Sequence, residues 1–342
     1  MPHSSPFCVV TLLGSKDINW VTNKKPNSFT NPPNFALPSF SYFLIFPRFT
    51  FILGRIALIL QNPLFFTSFF RNFAPMNQES LRQQFNPDGS ILRRQQMRML
   101  DILLEVDRIC KKYDISYWLS SGTLIGAMRH DGFIPWDDDL DIEMLRSDYV
   151  RLMQVLPEEL PDWLALQNDE TDPYYFFFYA KVRDRRSRML EQNGYDRLWK
   201  EQGIYIDIFP MERHPLWLHQ LTEKTVGHMY KIWRTSTDDA KSIKAVRRIY
   251  NFNKRVLFPC LRAVLSQVTF GSSVITSGMG IPFHNPRYID EIFPLTTHTF
   301  EGYQLPVPHD ADAHLRHIYG DYMQLPDLSK LKPHVGQIEI YE

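Results

Sequence analysis

Four carboxylates fall within five consecutive positions at Asp137-Asp138-Asp139-Leu140-Asp141, and Glu143 follows. Like charges this close repel, and none gains anything from a core, so an acidic run normally belongs on a solvated loop or a tail. This one stands mid-chain, preceded by Phe133-Ile134-Pro135-Trp136 and continuing into Ile142 and Met144. Read as a strand, 137–143 puts Asp137, Asp139, Asp141 and Glu143 on one face and Asp138 on the other. That lined-up face is costly unless cations neutralise it, and an all-oxygen site of this kind suits Mg²⁺ or Mn²⁺.

The surrounding pattern is mixed. Met99, Leu103, Val106, Cys110 and Tyr113 recur at helical spacing, which predicts an amphipathic helix over 93–113. Ile115–Leu119 reads as a strand, Ser120–Gly122 as a turn and Thr123–Met128 as a short helix. A second helix is expected over 147–156, ended by Pro157 and Pro161. Strands are expected at 164–167, at the aromatic-rich 174–182 and at 203–210. Beyond Pro215 the chain reads as helical and basic, with mixed apolar and cationic faces over 216–233 and 240–265. Residues 271–294 read as loop-rich, Pro306 and Pro308 as a turn, and 312–318 as a short helix. The expected class is α/β (α+β), a mixed sheet flanked by helices with a mostly helical C-terminal part.

Lys+Arg and Asp+Glu both number 38, so no global charge excess points to nucleic acid or an acidic membrane. Cys8, Cys110 and Cys260 are far apart, with neither metal-ligand nor disulfide spacing. Residues 1–75 differ from the rest: they hold 13 of the 25 Phe, recurrent prolines and a single acid, Asp17. Their longest uncharged run, Ile56–Phe70, is interrupted by Pro63 and is shorter than the roughly 20 residues a membrane span needs. Three readings stand for this extension: translation beginning at Met76 (the favoured one), a membrane-associating segment, or a disordered extension.

The chemistry follows from spacing. The Ser-Gly turn before a helix offers N–H groups and hydroxyls as a phosphate seat. Asp139 and Asp141, two apart, can share a divalent cation. Asp207, alone among Ile204, Tyr205, Ile206, Ile208 and Phe209, is the best third carboxylate. Cations held this way can stabilise the oxygens of a phosphoryl displacement. Each reading has a plainer twin: a solvated or Ca²⁺-binding loop for Asp139 and Asp141, a buried pair with Lys or Arg for Asp207, helix capping for Ser121 and Thr123, a charged strand edge for Lys181 and Arg183, a satisfied turn for Arg129 and His130, and core packing for the aromatics.

Ser121-Gly122-Thr123-Leu124-Ile125-Gly126-Ala127, Arg129-His130-x-Gly132-Phe133-Ile134-Pro135-Trp136-Asp137-Asp138-Asp139-Leu140-Asp141, Ala180-Lys181-Val182-Arg183-Asp184, Ile206-Asp207-Ile208-Phe209-Pro210 and Tyr319-Gly320-Asp321-Tyr322 together resemble the LicD family. The resemblance covers roughly 94–326 and leaves out 1–75. It implies a nucleotidyltransferase fold, with a transferase domain over 76–342, its core at about 94–212 and a helical, acceptor-side part at about 213–342. It implies metal-dependent transfer of a phospho-substituent, phosphocholine from CDP-choline foremost, onto a hydroxyl of a surface glycan such as lipopolysaccharide, teichoic acid or a capsule precursor. Asp139 and Asp141 would then hold the metal, Asp207 would share it and take the acceptor proton, and Asp137 would be a further ligand or support. Ser121, Gly122 and Thr123 would seat the pyrophosphate; Arg129, Lys181 and Arg183 would contact substrate. Trp136 and Tyr174–Tyr179 could cage a quaternary ammonium, and Tyr319 and Asp321 could shape the acceptor side. CDP-ribitol, CDP-glycerol and an Asp-x-Asp glycosyltransferase are the alternatives; a non-catalytic glycan-binding protein fits the acidic row poorly. The expected placement is cytoplasmic, at the inner face of the membrane, with peripheral membrane association allowed.

Overall fold

The structure is a computed structural model that describes residues 78–191, 194–235, 240–269, 272–283, 285–330 and 338–341, the side chains of 266–269 and 330 excepted. The readings made for residues 1–75 lie outside the described residues.

Helix α1 (Gln78–Phe85) leads to α2 (Ile91–Lys112). Ser90 caps α2 by accepting from the Arg93 N–H at 3.1 Å, and Lys111 and Lys112 sit in its last turn, where cations suit the helix dipole. The stripe read from the sequence is the buried face: Met99, Leu103, Val106 and Cys110 are all in the core. The first strand is short, β1 (Trp118–Leu119), and α3 (Ser121–His130) follows it directly. Asp131 closes α3 in the left-handed region at φ 53°, accepting the role glycine often fills at a helix end.

The sheet is assembled from distant segments. Strands β2 (Asp141–Leu145), β3 (Leu164–Gln167), β4 (Ala180–Asp184) and β6 (Tyr205–Glu212) run in the order β1-β2-β6-β4-β3. The β2–β6 pair is parallel and the other pairs are antiparallel. On its other edge, β6 pairs first with β4 and then, at Met211 and Glu212, with β7 (Val274–Ser277), which carries β8 (Arg287–Tyr288). Helix α4 (Arg146–Glu159) follows β2 and keeps Pro157 within its last turn, so the helix runs past the proline expected to end it. A short strand β5 (Ser187–Met189) pairs with β11 (Ile338–Ile340) away from the main sheet.

Period-two alternation divides this sheet cleanly. Ile142, Met144, Val182, Ile206 and Ile208 point into a core shared with α2 and α4. The opposite face carries Asp141, Glu143, Lys181, Arg183, Tyr205 and Asp207. A second, aromatic core lies among α5 (Leu216–Thr235), α6 (Ala240–Phe252), α7 (Phe258–Thr269) and the 174–179 segment.

Further expectations are corrected. Residues 174–179 are not a strand; the segment is irregular and β4 begins at Ala180. Its backbone carbonyls are satisfied from the side: Trp199 Nε1 donates to Tyr174 O and Tyr250 Oη to Phe177 O, each at 3.1 Å. Residues 137–140 precede the strand, which starts only at Asp141. The turn read at Pro306 is part of a hairpin, β9 (Thr296–Phe300) and β10 (Tyr303–Val307), turned at Glu301 and Gly302, both at positive φ. The region read as loop-rich also contains β7, β8 and the single turn α8 (Ile289–Ile292), and α9 (Ala311–Tyr319) closes the body. Among the described residues no helix is long and apolar enough to cross a membrane.

Candidate active site

Register alone puts three charged residues in one row. Lys181 of β4 is the cross-strand partner of Asp207 of β6, which is in turn the partner of Asp141 of β2. All three are buried. Lys181 Nζ lies 2.7 Å from Asp207 Oδ1 and stands 3.3 Å over the Tyr205 ring. The buried-pair alternative for Asp207 is therefore what the structure shows, and Lys181 neutralises that carboxylate.

Asp141 has no such cation of its own. Its Oδ1 is buried without a hydrogen-bond partner. Burial, then the charges of Asp139 and Asp207, drive its carboxyl well above the usual range, with Lys181 opposing. Asp137 is driven up in the same way by burial and by Asp139, and it hydrogen-bonds the Asp139 side chain. Two carboxylates can share a hydrogen bond only through a proton. Asp207 is raised to about 6, burial outweighing the effect of Lys181. Burial also takes Asp138 up to about 6.

No three His, Cys, Asp or Glu side chains among the described residues form a ready metal-ligand group. The donor chemistry nevertheless fits a hard divalent cation at Asp139 and Asp141: all ligands are oxygens, and one is an orphaned buried oxygen. Asp207 adjoins this set electrostatically, its Oδ1 paired with Lys181.

Helix α2 grips the backbone of the acidic loop. Gln96 Nε2 donates to Asp137 O at 2.9 Å and Gln95 Nε2 to Asp138 O at 2.7 Å. These carbonyls lie outside the sheet, and buried carbonyls need donors. Both glutamines sit on the buried side of α2, a polar pair that sequence periodicity does not distinguish from core.

The start of α3 meets this loop. The Asp141 N–H donates to Thr123 Oγ1 at 2.8 Å, and the Ser120 N–H to Asp141 O at 3.1 Å. Thr123 thus ties helix to strand. Gly122 lies against Asp137: a Cβ there would come within 2.5 Å of Asp137 Oδ2. Ser121 has φ 51°, a conformation that costs a non-glycine residue about 1–3 kcal/mol and that concentrates at functional sites. Its side chain meets the Tyr319 hydroxyl.

Arg183, on the same face as Lys181, and Arg129, which feels the charge of Asp137, are both held by protein partners. Arg183 is fully buried, donating to Gln167 Oε1 (2.5 Å), Gly203 O (2.8 Å) and Glu191 Oε1 (2.7 Å). Arg129, at the far end of α3, donates to Tyr322 O at 2.6 Å and to His130 Nε2 at 2.8 Å. It anchors the segment after α9. Trp136 packs edge-on to Phe85 and His130. Tyr175, Phe176, Phe177 and Tyr179 are buried in the aromatic core, so packing is what they do. Asp321 is largely exposed and lies 3.9 Å from Arg316.

One supporting pair escaped the sequence reading. Glu143, two residues beyond Asp141, is buried with Arg287 of β8 at 2.8 Å and accepts from Trp118 Nε1 at 3.1 Å. Arg287 and its hydrogen bond hold the Glu143 carboxyl below its ordinary value despite burial. Arg287 lies in the stretch read as loop, 144 residues away, so no local signal marks it.

A family model described as LicD/FKTN/FKRP, nucleotidyltransferase domain, matches residues 114–272. The chain is 29% identical over 260 residues to the lipopolysaccharide cholinephosphotransferase LicD of Haemophilus influenzae, covering 71% of this chain and 95% of that protein. An uncharacterized protein of Rickettsia prowazekii is 30% identical over 110 residues, 31% of this chain and 40% of its own length. One from Rickettsia typhi is 32% identical over 112 residues, 31% and 34% respectively. The matched span contains the whole Lys181–Asp207–Asp141 row and the acidic loop beside it, so the residues of the candidate site lie within the part of the chain that is similar to LicD proteins.

Proposed function

We propose that the protein is a transferase of phosphate-containing groups that moves phosphocholine from CDP-choline to a hydroxyl of a lipopolysaccharide or related surface glycan, with a divalent cation at Asp139 and Asp141. The observation that carries this reading is the convergence of buried, mutually repelling carboxylates at the β2–β6 register pair, in a chain aligned with 95% of a cholinephosphotransferase. A bound cation would supply neutralisation of pyrophosphate charge. Asp141 would hold it through its otherwise unpartnered oxygen, with Asp139 as the second ligand and Asp137 in support. Asp207, near neutrality at about 6, is the group in the row suited to accept the proton of the attacking hydroxyl, and Lys181 keeps it oriented and ionisable. Thr123 and the Gln95–Gln96 pair fix the loop so that these groups need not reorganise during reaction.

The test is incubation with CDP-choline, CDP-ribitol, CDP-glycerol and nucleotide-sugars, with a lipopolysaccharide acceptor. Release of CMP with choline incorporated into the glycan is expected. CMP from another CDP-alcohol alone would move the donor assignment, and release of UDP or GDP from a nucleotide-sugar would refute phospho-substituent transfer.

A further inference from the structure

The helical region beyond the site has an unusual surface. Residues 240–265 contain seven Lys and Arg and no Asp or Glu, within a chain whose Lys+Arg and Asp+Glu both total 38. Along the same stretch, Phe252, Val256, Pro259, Cys260 and Val264 are exposed. Their spacings of four, three, one and four place them along one side of the α6–α7 rod, through the π-turn Asn253–Leu257. Phe252 is 55% and Val264 71% accessible, values a core-facing stripe would not have. The start of α5 repeats the pattern, with Trp217 at 60% and Leu221 at 49% accessible, and Lys224 exposed next on that face. Thr225 Oγ1 donates to Asn253 Oδ1 at 2.8 Å, so this half of α5 runs beside the exposed rod.

The cations are arranged around the apolar stripe. Arg248 and Arg255 are exposed on the same side, and Lys244 stands one turn earlier. Among the described residues none of these three pairs with a carboxylate, whereas Arg262 and Lys254 are engaged by Glu212 and Asp169. An exposed contiguous apolar face on a soluble body marks an interaction surface. An apolar stripe flanked by Lys and Arg, with an aromatic beside it, is the pattern of a helix lying in a membrane interface. A second copy of the same face would bring like charges together, which disfavours self-association.

We infer that the α6–α7 rod with the start of α5 is a docking surface for an anionic phospholipid membrane, in plane rather than across it. The apolar side chains would enter the headgroup boundary while Lys244, Arg248 and Arg255 meet lipid phosphates. This inference rests on the surface itself and holds whatever group the active site transfers.

The experiment is co-sedimentation of the full chain with phosphatidylcholine vesicles, with and without phosphatidylglycerol. Binding is expected only with phosphatidylglycerol and should fall as salt rises. Two variants carry the test: Val256→Glu with Val264→Glu, and Arg248→Glu with Arg255→Glu. All four positions are exposed, and unchanged circular dichroism and melting temperature check the fold. Each pair should weaken vesicle partition by about tenfold or more. Equal binding of wild type and both variants would overturn the inference, as would no binding to phosphatidylglycerol vesicles. A dimer in analytical ultracentrifugation that the valine variant dissociates would assign the face to a second copy instead and would equally overturn it.

Discussion

Replacing Arg287 by Met tests how the site is braced. Arg287 and Glu143 are both buried, with Nη2–Oε1 at 2.8 Å and Nε–Oε2 at 3.3 Å. Methionine keeps much of the apolar stem and removes the charge together with the guanidinium donors to Glu143 and to Asn285 O. Glu143 would then be a buried carboxylate supported by Trp118, Ser120 and the nearby His314, without its main cation, and it would escape by taking a proton. The cost of holding it protonated is set by the distance of the working pH from its unfolded pKa. From 4.5 to near pH 7, at about 1.4 kcal/mol per unit, that cost is about 3 kcal/mol; near pH 5 it is about 1 kcal/mol. The signs are opposite in the two proteins. In the wild type the depressed Glu143 stabilises the fold above about pH 4.5, and that contribution is lost as pH falls through the folded value. In the variant the raised carboxyl imposes a penalty that grows as pH rises. With roughly 2–4 °C per kcal/mol for a body of this size, the melting temperature should drop by about 6–12 °C near pH 7 and about 2–4 °C near pH 5. Scanning calorimetry at the two pH values measures it. Adding Glu143→Gln should recover much of the loss, because removing both charges leaves none uncompensated. A fall below about 2 °C near pH 7, or an equal fall at both pH values, would refute the reasoning.

Other outcomes follow from the site itself. Asp141→Asn should abolish turnover while leaving the melting temperature at or above wild type, since it removes a repelling buried charge; full activity would remove the cation reading. EDTA should stop turnover and Mg²⁺ or Mn²⁺ restore it, measured by nucleotide release. Asp207→Asn should lower kcat by about 100-fold or more, the scale of losing a general base, and an unchanged kcat would leave Asp207 only its pairing with Lys181. Gly122→Ala should displace Asp137, because no real Cβ tolerates an oxygen at 2.5 Å; the expected readout is a reduced kcat with near-normal folding by circular dichroism.

Much of the site was legible because it is encoded locally. The acidic run is visible in any window, and Asp207 stands out because a lone carboxylate in an apolar strand needs a partner. The α2 stripe was readable for the same reason, since period 3.6 is a local property. Arg183 was not readable: its spacing from Lys181 fits two phosphate ligands equally well. Only the folded neighbours Gln167, Gly203 and Glu191 show its donors used within the protein. The run Tyr174–Tyr179 misled because aromatic content favours a strand, while the tertiary fold satisfies its backbone with Trp and Tyr side chains instead.

The sequence by itself determined which groups the chain could use: an oxygen-rich cluster, a Ser-Gly-Thr helix start and a mixed sheet to carry them. Composition and short-range period decide such things, because they depend on residues a few positions apart. Tertiary structure decided who faces whom. The parallel β2–β6 register sets Asp141 beside Asp207, and the antiparallel β4–β6 register gives Asp207 to Lys181. It also set Glu143 against Arg287 across the chain and left the α6–α7 stripe facing outward. Pair distances and burial fix both charge balance and carboxyl acidity. Neither exists until the strands are in register.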